Sequence, residues 1–411
     1  MSEKLPEGWK IATLEDIARV TSGGTPSRKK SSYWNGCIPW VTTGEILFNT
    51  ITQTNEYITE LGMLNSSAKI FPEGTLLIAM YGQGKTRGSV ARLGISAATN
   101  QACAVILLSD SQDSYFHFYN FQNKYNNIRN ISNTSSQKNL SLELIKKQKI
   151  IFPPIFEQKK IAHILLTWDD AIHHTQNFLE NSKTQKKALM QQLLTGRRRL
   201  PGFSNPWSAA PLNTLFREIK RPVIWDDNKE YKLLSVKRRA GGVFFRENIF
   251  GKEIKTKKLN SVCSDELLIS KMQVVHGSIG IVQKYFDGCF VSDSYIILAP
   301  KNKNKLLMKF IGYYFQQPHI WHLAYLNSHG VHIEKMTFNF DSFLKETIEI
   351  PSDIAEQKAI ADVLTAADTV IQQYEAKLAN LQAQKKALMQ QLLTGKIRVK
   401  TDTDAAQHQL A

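Results

Sequence analysis

The sequence predicts an α+β chain. Two similar mixed α/β blocks are separated by two long antiparallel coiled-coil helices and related by a pseudo-twofold internal repeat. Three observations predict this. Residues 185–196 and 384–395 both read QKKALMQQLLTG, identical at all twelve positions and offset by 199. Upstream, Glu157-Gln158-Lys159-Lys160-Ile161-Ala162 answers Glu356-Gln357-Lys358-Ala359-Ile360-Ala361 at the same offset, so one unit of fold occurs twice. From each of these strings an apolar stripe continues at alternating intervals of four and three residues, the period of a coiled coil.

The blocks and helices divide the chain into 1–152, a first helix region 153–199, 200–350, a second helix region 351–398, and a polar tail 399–411 expected to be disordered. Residues 5–20 open with Trp9, then Leu14, Ile17 and Ala18 at helical spacing, and Trp207 and Leu212 repeat the separation of five. Residues 21–50 are rich in Gly, Pro, Ser and Asn, with Arg28, Lys29 and Lys30 near Tyr33, Trp34 and Trp40. They read as loop with short strands. Basic and aromatic residues together suit phosphate contact with stacking; aromatics that merely cap a core are the plainer alternative.

Strand signals follow at 75–80, 89–93 and 102–108, around a glycine-rich turn, YGQGKTRG at 81–88, with Lys85 and Arg87 at its tip. The second block repeats the pattern with strands at 267–270, 281–284 and 290–299 around a turn containing His276, Gly277 and Gly280. An aromatic helix near 115–119 or 310–321 then leads through a polar turn to a short strand, 149–152 or 347–350, before each long helix. The first stripe is Ile161, Leu165, Trp168, Ile172, Thr175, Leu179, Ser182, Lys186, Leu189, Leu193. The second is Ile360, Leu364, Ala367, Ile371, Tyr374, Leu378, Leu381, Lys385, Leu388, Leu392. At 1.5 Å per residue, about 40 residues make a helix roughly 60 Å long. Gly196 and Gly395 are natural stops. The polar members of the stripe can fix register and partner at some cost in stability.

The net charge of +16 is concentrated in the blocks. Residues 1–150 carry 16 Lys and Arg against 11 Asp and Glu, and 197–350 carry 24 against 14; residues 151–196 carry 5 against 4, and 351–411 carry 7 against 7. Basic blocks joined by neutral helices point to a polyanion, nucleic acid above all. Cys37, Cys103, Cys263 and Cys289 are scattered without a CxxC pair, which argues against a zinc site or a disulfide framework. The polar opening MSEKLPEGWK and the absence of an apolar run near 20 residues lead to an expected cytoplasmic location without membrane contact. Gly84-Lys85-Thr86 has Ala79 where a phosphate-binding loop needs glycine. His319, His322, His329 and His332 have no acidic or cysteine partner at ligand spacing. No nucleophile, paired carboxylate or methyltransferase tetrapeptide stands out, so the chain reads as non-catalytic and without metal or cofactor of its own.

Several stretches together resemble the DNA-specificity (S) subunit family of Type I restriction–modification systems. They are TSGGTPS…YW…IPWVTTGEI in the first block, FPPIFEQKKIAHIL and IPSDIAEQKAIADVL at the helix starts, and the twin QKKALMQQLLTG endings. Lys220 through Phe245 lacks the GGTP…YW…PW string of the first block. The resemblance implies two target-recognition domains, each reading half of a bipartite asymmetric sequence in double-stranded DNA, and paired helices that set the gap. It implies docking of two modification (methyltransferase) subunits and of restriction (translocase/nuclease) subunits, with S-adenosylmethionine, ATP and Mg on those partners. A stand-alone DNA-binding or scaffold protein acting without methyltransferase partners is the other reading. The expected DNA-contacting residues are Arg28, Lys29, Gln83, Lys85, Thr86, Arg87, Ser136, Gln137, Lys138 and Asn139 in the first block. In the second they are Lys237, Arg238, Arg239, His276, Ser278, Tyr295 and His332.

Overall fold

A computed structural model describes residues 5–131, 139–330, 332–333 and 336–400; of the expected tail, 401–411 lie outside them. The chain forms two compact units. One runs to Gln176 and resumes at Ala376; the other is Asn177–Glu375.

The first unit begins with β1 (Lys10–Thr13), α1 (Leu14–Ile17) and β2 (Ala18–Ser22). The helical spacing at 5–20 therefore yields a single helical turn between two strands, because Trp9 and Leu14 enter the core from either side of a strand. Next come β3 (Trp34–Val41), β4 (Thr50–Ile51), β5 (Glu56–Ile58), α2 (Glu60–Leu64), β6 (Ile70–Phe71), β7 (Leu76–Ala79), β8 (Val90–Leu93), β9 (Ala97–Thr99) and β10 (Cys103–Leu108). Helices α3 (Ser114–Asn123), α4 (Tyr125–Asn130) and α5 (Leu142–Lys146) precede β11 (Lys149–Phe152) and the long α6 (Ile155–Leu193). The strands form sheets ordered β2-β10-β7-β8-β4 and β5-β3-β9-β6, plus the pair β1-β11. β7 is buried at every position. Side chains alternate along a strand, so Leu76 and Ile78 meet the aromatic face of α3 while Leu77 and Ala79 meet Val105 and Leu93 on the other side.

The second unit contains β12 (Trp207–Pro211), α7 (Leu212–Leu215), β13 (Phe216–Glu218), β14 (Glu230–Val236), β15 (Val243–Phe250), β16 (Leu259–Ser261), β17 (Leu267–Ser270), β18 (Ile279–Ile281), β19 (Phe290–Ser292) and β20 (Tyr295–Pro300). There follow α8 (Met308–Tyr314), α9 (Pro318–Leu326), β21 (Ser328–His329), β22 (Thr337–Phe338), α10 (Phe340–Phe343), β23 (Thr347–Pro351) and the long α11 (Ile354–Leu392). Its sheets are β13-β20-β17-β18, β15-β14-β19-β16 and β12-β23, with a small β21-β22 pair. Apart from β4 and the β21-β22 pair, each strand of one unit has a counterpart in the other. Even the parallel pairing of β3 with β9 recurs as that of β14 with β19. Three expectations are corrected. The strand expected at 290–299 is two strands in different sheets, turned at Asp293 and Ser294. The helix expected at 310–321 breaks into α8 and α9 because Pro318 has no N–H to continue it and instead occupies a first-turn position. β18 begins two residues before the expected 281.

Helices α6 and α11 are 39 residues each, and Gly196 and Gly395 follow them with φ of 68° and 75°. All ten members of each apolar stripe are buried or half-buried. Within each unit the start of one helix runs antiparallel to the end of the other. In the first unit Ile161 and Leu165 share a core with Met389 and Leu392; in the second Leu193 packs with Ile360 and Leu364. The polar stripe members are satisfied. Thr175 and Ser182 donate to the carbonyls of Ala171 (2.7 Å) and Phe178 (2.8 Å) on their own helix. Lys385 pairs with Asp169, which also accepts from the Tyr119 hydroxyl. Lys186 pairs with Asp368 at 2.6 Å, which accepts from the Tyr313 hydroxyl at 2.8 Å. Arg398 on Glu157 and Arg199 on Glu356 form a second matched set. Among the described residues no helix is long and apolar enough to cross a membrane.

Candidate nucleic-acid interface

In the first unit the glycine-rich turn joins β7 to β8. Gly82, Gly84 and Gly88 take φ of 137°, 59° and 83°, and a Cβ on Gly82 would lie 2.7 Å from Thr86 Cβ. Helix α4 props the turn from behind. The Tyr125 hydroxyl donates to the Lys85 carbonyl (2.8 Å), and Arg129 donates to the Arg87 carbonyl (3.2 Å). Arg87 in turn donates to the Arg129 carbonyl (3.4 Å). Gln83 and Lys85 are exposed; Thr86 and Arg87 are half-buried. The guanidinium of Arg87 thus ties turn to helix, and Lys85 is the cation presented to solvent. The turn precedes a strand, whereas a phosphate-binding loop opens a helix. Asn139 is half-buried; Ser136, Gln137 and Lys138 lie outside the described residues.

The Arg28 loop is locked. The Arg28 guanidinium lies 3.8 Å from the Trp34 ring centroid and 5.0 Å from that of Trp40, and it forks onto both oxygens of Glu56. Trp40 donates to the Gly24 carbonyl (3.0 Å) and Trp34 to that of Ser27 (3.1 Å). Arg28 is therefore engaged within its own domain, and Lys29 beside it is exposed. The tryptophans serve a core and the loop at once.

In the second unit β14 and β15 form a hairpin tipped by Lys237, Arg238 and Arg239, all exposed. Arg239 and Ala240 both have φ of 54°, the left-handed region disfavoured for residues with a Cβ. The tip is held there by its neighbours. Arg239 N–H donates to the His276 carbonyl (2.7 Å) and Ala240 N–H to that of Gly277 (2.9 Å). Four expected residues, Lys237, Arg238, Arg239 and His276, are thereby gathered at one place. Ser278 has no exposed surface and immediately precedes β18. Tyr295 is half-buried and exchanges a hydrogen bond with Ser235 (2.9 Å); His332 is exposed. Sequence reading passed over Arg246, because its distinction is a break in strand register that no residue pattern announces. The ladder steps from Leu233–Glu247 to Leu234–Phe245 and leaves Arg246 unmatched. His319 and His322 are spent on the rings of Tyr314 and Tyr325. Among the described residues no group of three or more His, Cys, Asp or Glu side chains is placed to hold a metal ion.

The family model described as "Type I restriction modification DNA specificity domain" matches residues 6–180 and again 224–383, well over half of the chain. The chain belongs to this family. Among specificity subunits it is 31% identical over 194 residues to that of the Type I restriction enzyme MjaIX from Methanocaldococcus jannaschii, covering 45% of this chain and 42% of that protein. To the EcoR124I/EcoR124II specificity subunit of Escherichia coli it is 28% identical over 171 residues, covering 39% and 40%. The matched regions thus span less than half the length of each of these relatives. The fold is that of solved specificity subunits. The Type I S subunit from M. genitalium aligns with a TM-score of 0.57 at 15% identity over 95% of this chain and 98% of that one. The HsdS subunit from Thermoanaerobacter tengcongensis aligns at 0.53, with 16% identity over 96% and 99%. The specificity domain thus occurs here twice, once in each half of the chain.

Proposed function

We propose that this chain is the non-catalytic, sequence-reading subunit of a cytoplasmic Type I restriction–modification complex. Each unit reads one half of a bipartite asymmetric DNA site, and the long helices act as spacer and docking platform for two modification subunits, which restriction subunits join. S-adenosylmethionine, ATP and Mg belong to those partners. One observation carries the reading. The two units repeat one sheet topology while equivalent turns differ: the β7–β8 turn is glycine-rich and presents Lys85, whereas its counterpart between β17 and β18 presents Lys271 and Met272. A shared scaffold with different tips suits two different half-sites. The helices behave oppositely: the pairs Lys186–Asp368 and Arg199–Glu356 recur at the offset of 199 as Lys385–Asp169 and Arg398–Glu157. Equivalent surfaces receive equivalent partners.

In this mechanism Lys29, Lys85 and Lys237 neutralise phosphates and set affinity, while side chains that reach base edges in the major groove set sequence. Adenine-methylation mapping of the host genome with and without the chain tests it. One bipartite motif should vanish when the chain is removed; a methylation pattern that stays the same would refute the reading.

A further inference from the structure

We propose that Arg246 is a base-reading residue of the second unit, aimed by a β-bulge at the edge of a G·C pair; this rests on the DNA-recognition function proposed above. β14 and β15 form a two-stranded antiparallel ribbon, and β15 is the edge strand of its sheet. The major groove of B-DNA is wide enough to admit such a ribbon. Between the pairs Leu233–Glu247 and Leu234–Phe245, Arg246 is the one extra residue. A bulge of this kind bends the strand and redirects its side chain. The Arg246 side chain is 62% exposed, and its Nε meets Glu247 at 3.0 Å. An ion pair this open contributes less than about 1 kcal/mol, so the guanidinium can exchange the carboxylate for a base edge. Arg28 is held by more contacts, stacked on Trp34 and forked onto both oxygens of Glu56.

The surroundings favour a base over a phosphate. Beside the bulge is a cavity of about 530 Å³ whose lining includes Arg246, Glu247, Glu253, Lys255, Asp293 and Tyr295. Three carboxylates stand there against two cations, which would repel a phosphate. A base edge presents acceptors and donors together. An arginine fork matches the O6 and N7 acceptors of guanine, and a carboxylate accepts from the N4 amino group of cytosine. The mixed wall suits that pair.

The test is selection of binding sites from a randomised duplex library by the full-length chain assembled with its modification subunits. Wild type should enrich a bipartite motif; if it enriches none, the recognition function fails irrespective of Arg246. Given a motif, Arg246→Ala should relax one G·C position in one half-site by roughly 10- to 100-fold and leave the other half-site intact. Arg246→Gln should shift that position toward A·T, since glutamine matches adenine; this gain keeps the test decisive should the alanine variant fold poorly. Three outcomes would overturn the proposal: a motif unchanged at every position, an affinity loss uniform across sequences with a shallower salt dependence, or an unchanged motif with loss of a partner subunit.

Discussion

Arg28 and Lys29 are neighbours in the chain with different surroundings. Arg28 stacks on Trp34 and forks onto Glu56, so Arg28→Ala should cost about 1–2 kcal/mol in urea denaturation, the combined scale of an exposed cation–π contact and a charge-assisted fork. Lys29→Ala should stay within about 0.5 kcal/mol of wild type, as exposed substitutions do, and weaken DNA binding instead. Equal stability of the two variants would remove the distinction. Composition could flag the basic–aromatic cluster but not which cation it consumes, because Glu56 lies 28 residues away in the chain. His117 is a second residue whose role lies in the packing. It has no exposed surface, and its Nε2 is 2.7 Å from Gln112 Oε1. Burial, with a smaller push from Lys124, lowers its pKa from 6.5 to about 3. The unfolded chain therefore takes up this proton first. The contribution to stability is whole above pH 6.5 and is lost progressively as pH falls toward 3, by about 2 kcal/mol at pH 5. His117→Phe should flatten the fall in urea midpoint between pH 7 and 5. Parallel falls in both proteins would show that another group titrates there.

At the scale of elements, the long helices were the most legible part of the sequence and their polar positions the least. Ten stripe positions in each helix turn inward as the four–three spacing requires. Periodicity left the two lysines looking like defects. The structure gives each an aspartate on the other helix and a tyrosine from the aromatic helix of its unit. Burial and the Asp169 carboxylate push the Tyr119 hydroxyl far above its usual range, so it remains a donor. The Lys385 side chain is only 10% exposed. Asp169→Ala should accordingly cost about 3 kcal/mol, the consequence of stranding a buried cation. Glu375→Ala removes one of two carboxylates near Lys183, at 3.3 Å, and leaves Glu180 at 3.8 Å; both side chains of the lost pair are about half exposed, and the loss should stay below about 1 kcal/mol. Thermal or urea unfolding of the two variants decides; similar losses would deny the polar seam its special place. The strands were less legible for a related reason. Leu76 to Ala79 reads as a strand because both faces are buried, whereas 290–299 is one apolar run that serves two sheets. Short-range pattern cannot tell one long strand from two that part at Asp293. The β-bulge at Arg246 is hidden in the same way, since it exists only in the pairing of β15 with β14.

For the whole molecule, charge gives the sharpest expectation. The block at 1–150 carries a net charge of +5 and that at 197–350 carries +10, while 151–196 and 351–411 together carry +1. Duplex binding should therefore be strongly salt-dependent, because each phosphate neutralised releases a counterion and adds about −0.9 to the slope of log affinity against log salt. Lys29 and Lys85 are exposed cations of the first unit; Lys237 and Arg238 are exposed cations of the second. If each unit grips its own half-site, Lys29→Ala with Lys85→Ala should weaken protection of one half-site and reduce the slope by about 2. The base preferences of that half-site should survive, because phosphates carry no sequence. Lys237→Ala with Arg238→Ala should do the same at the other half-site. Footprinting across a salt series on one intact site separates the cases. Loss of protection over both half-sites from either pair of substitutions would mean that the two units bind as one surface, and the assignment of one unit to one half-site would then be wrong.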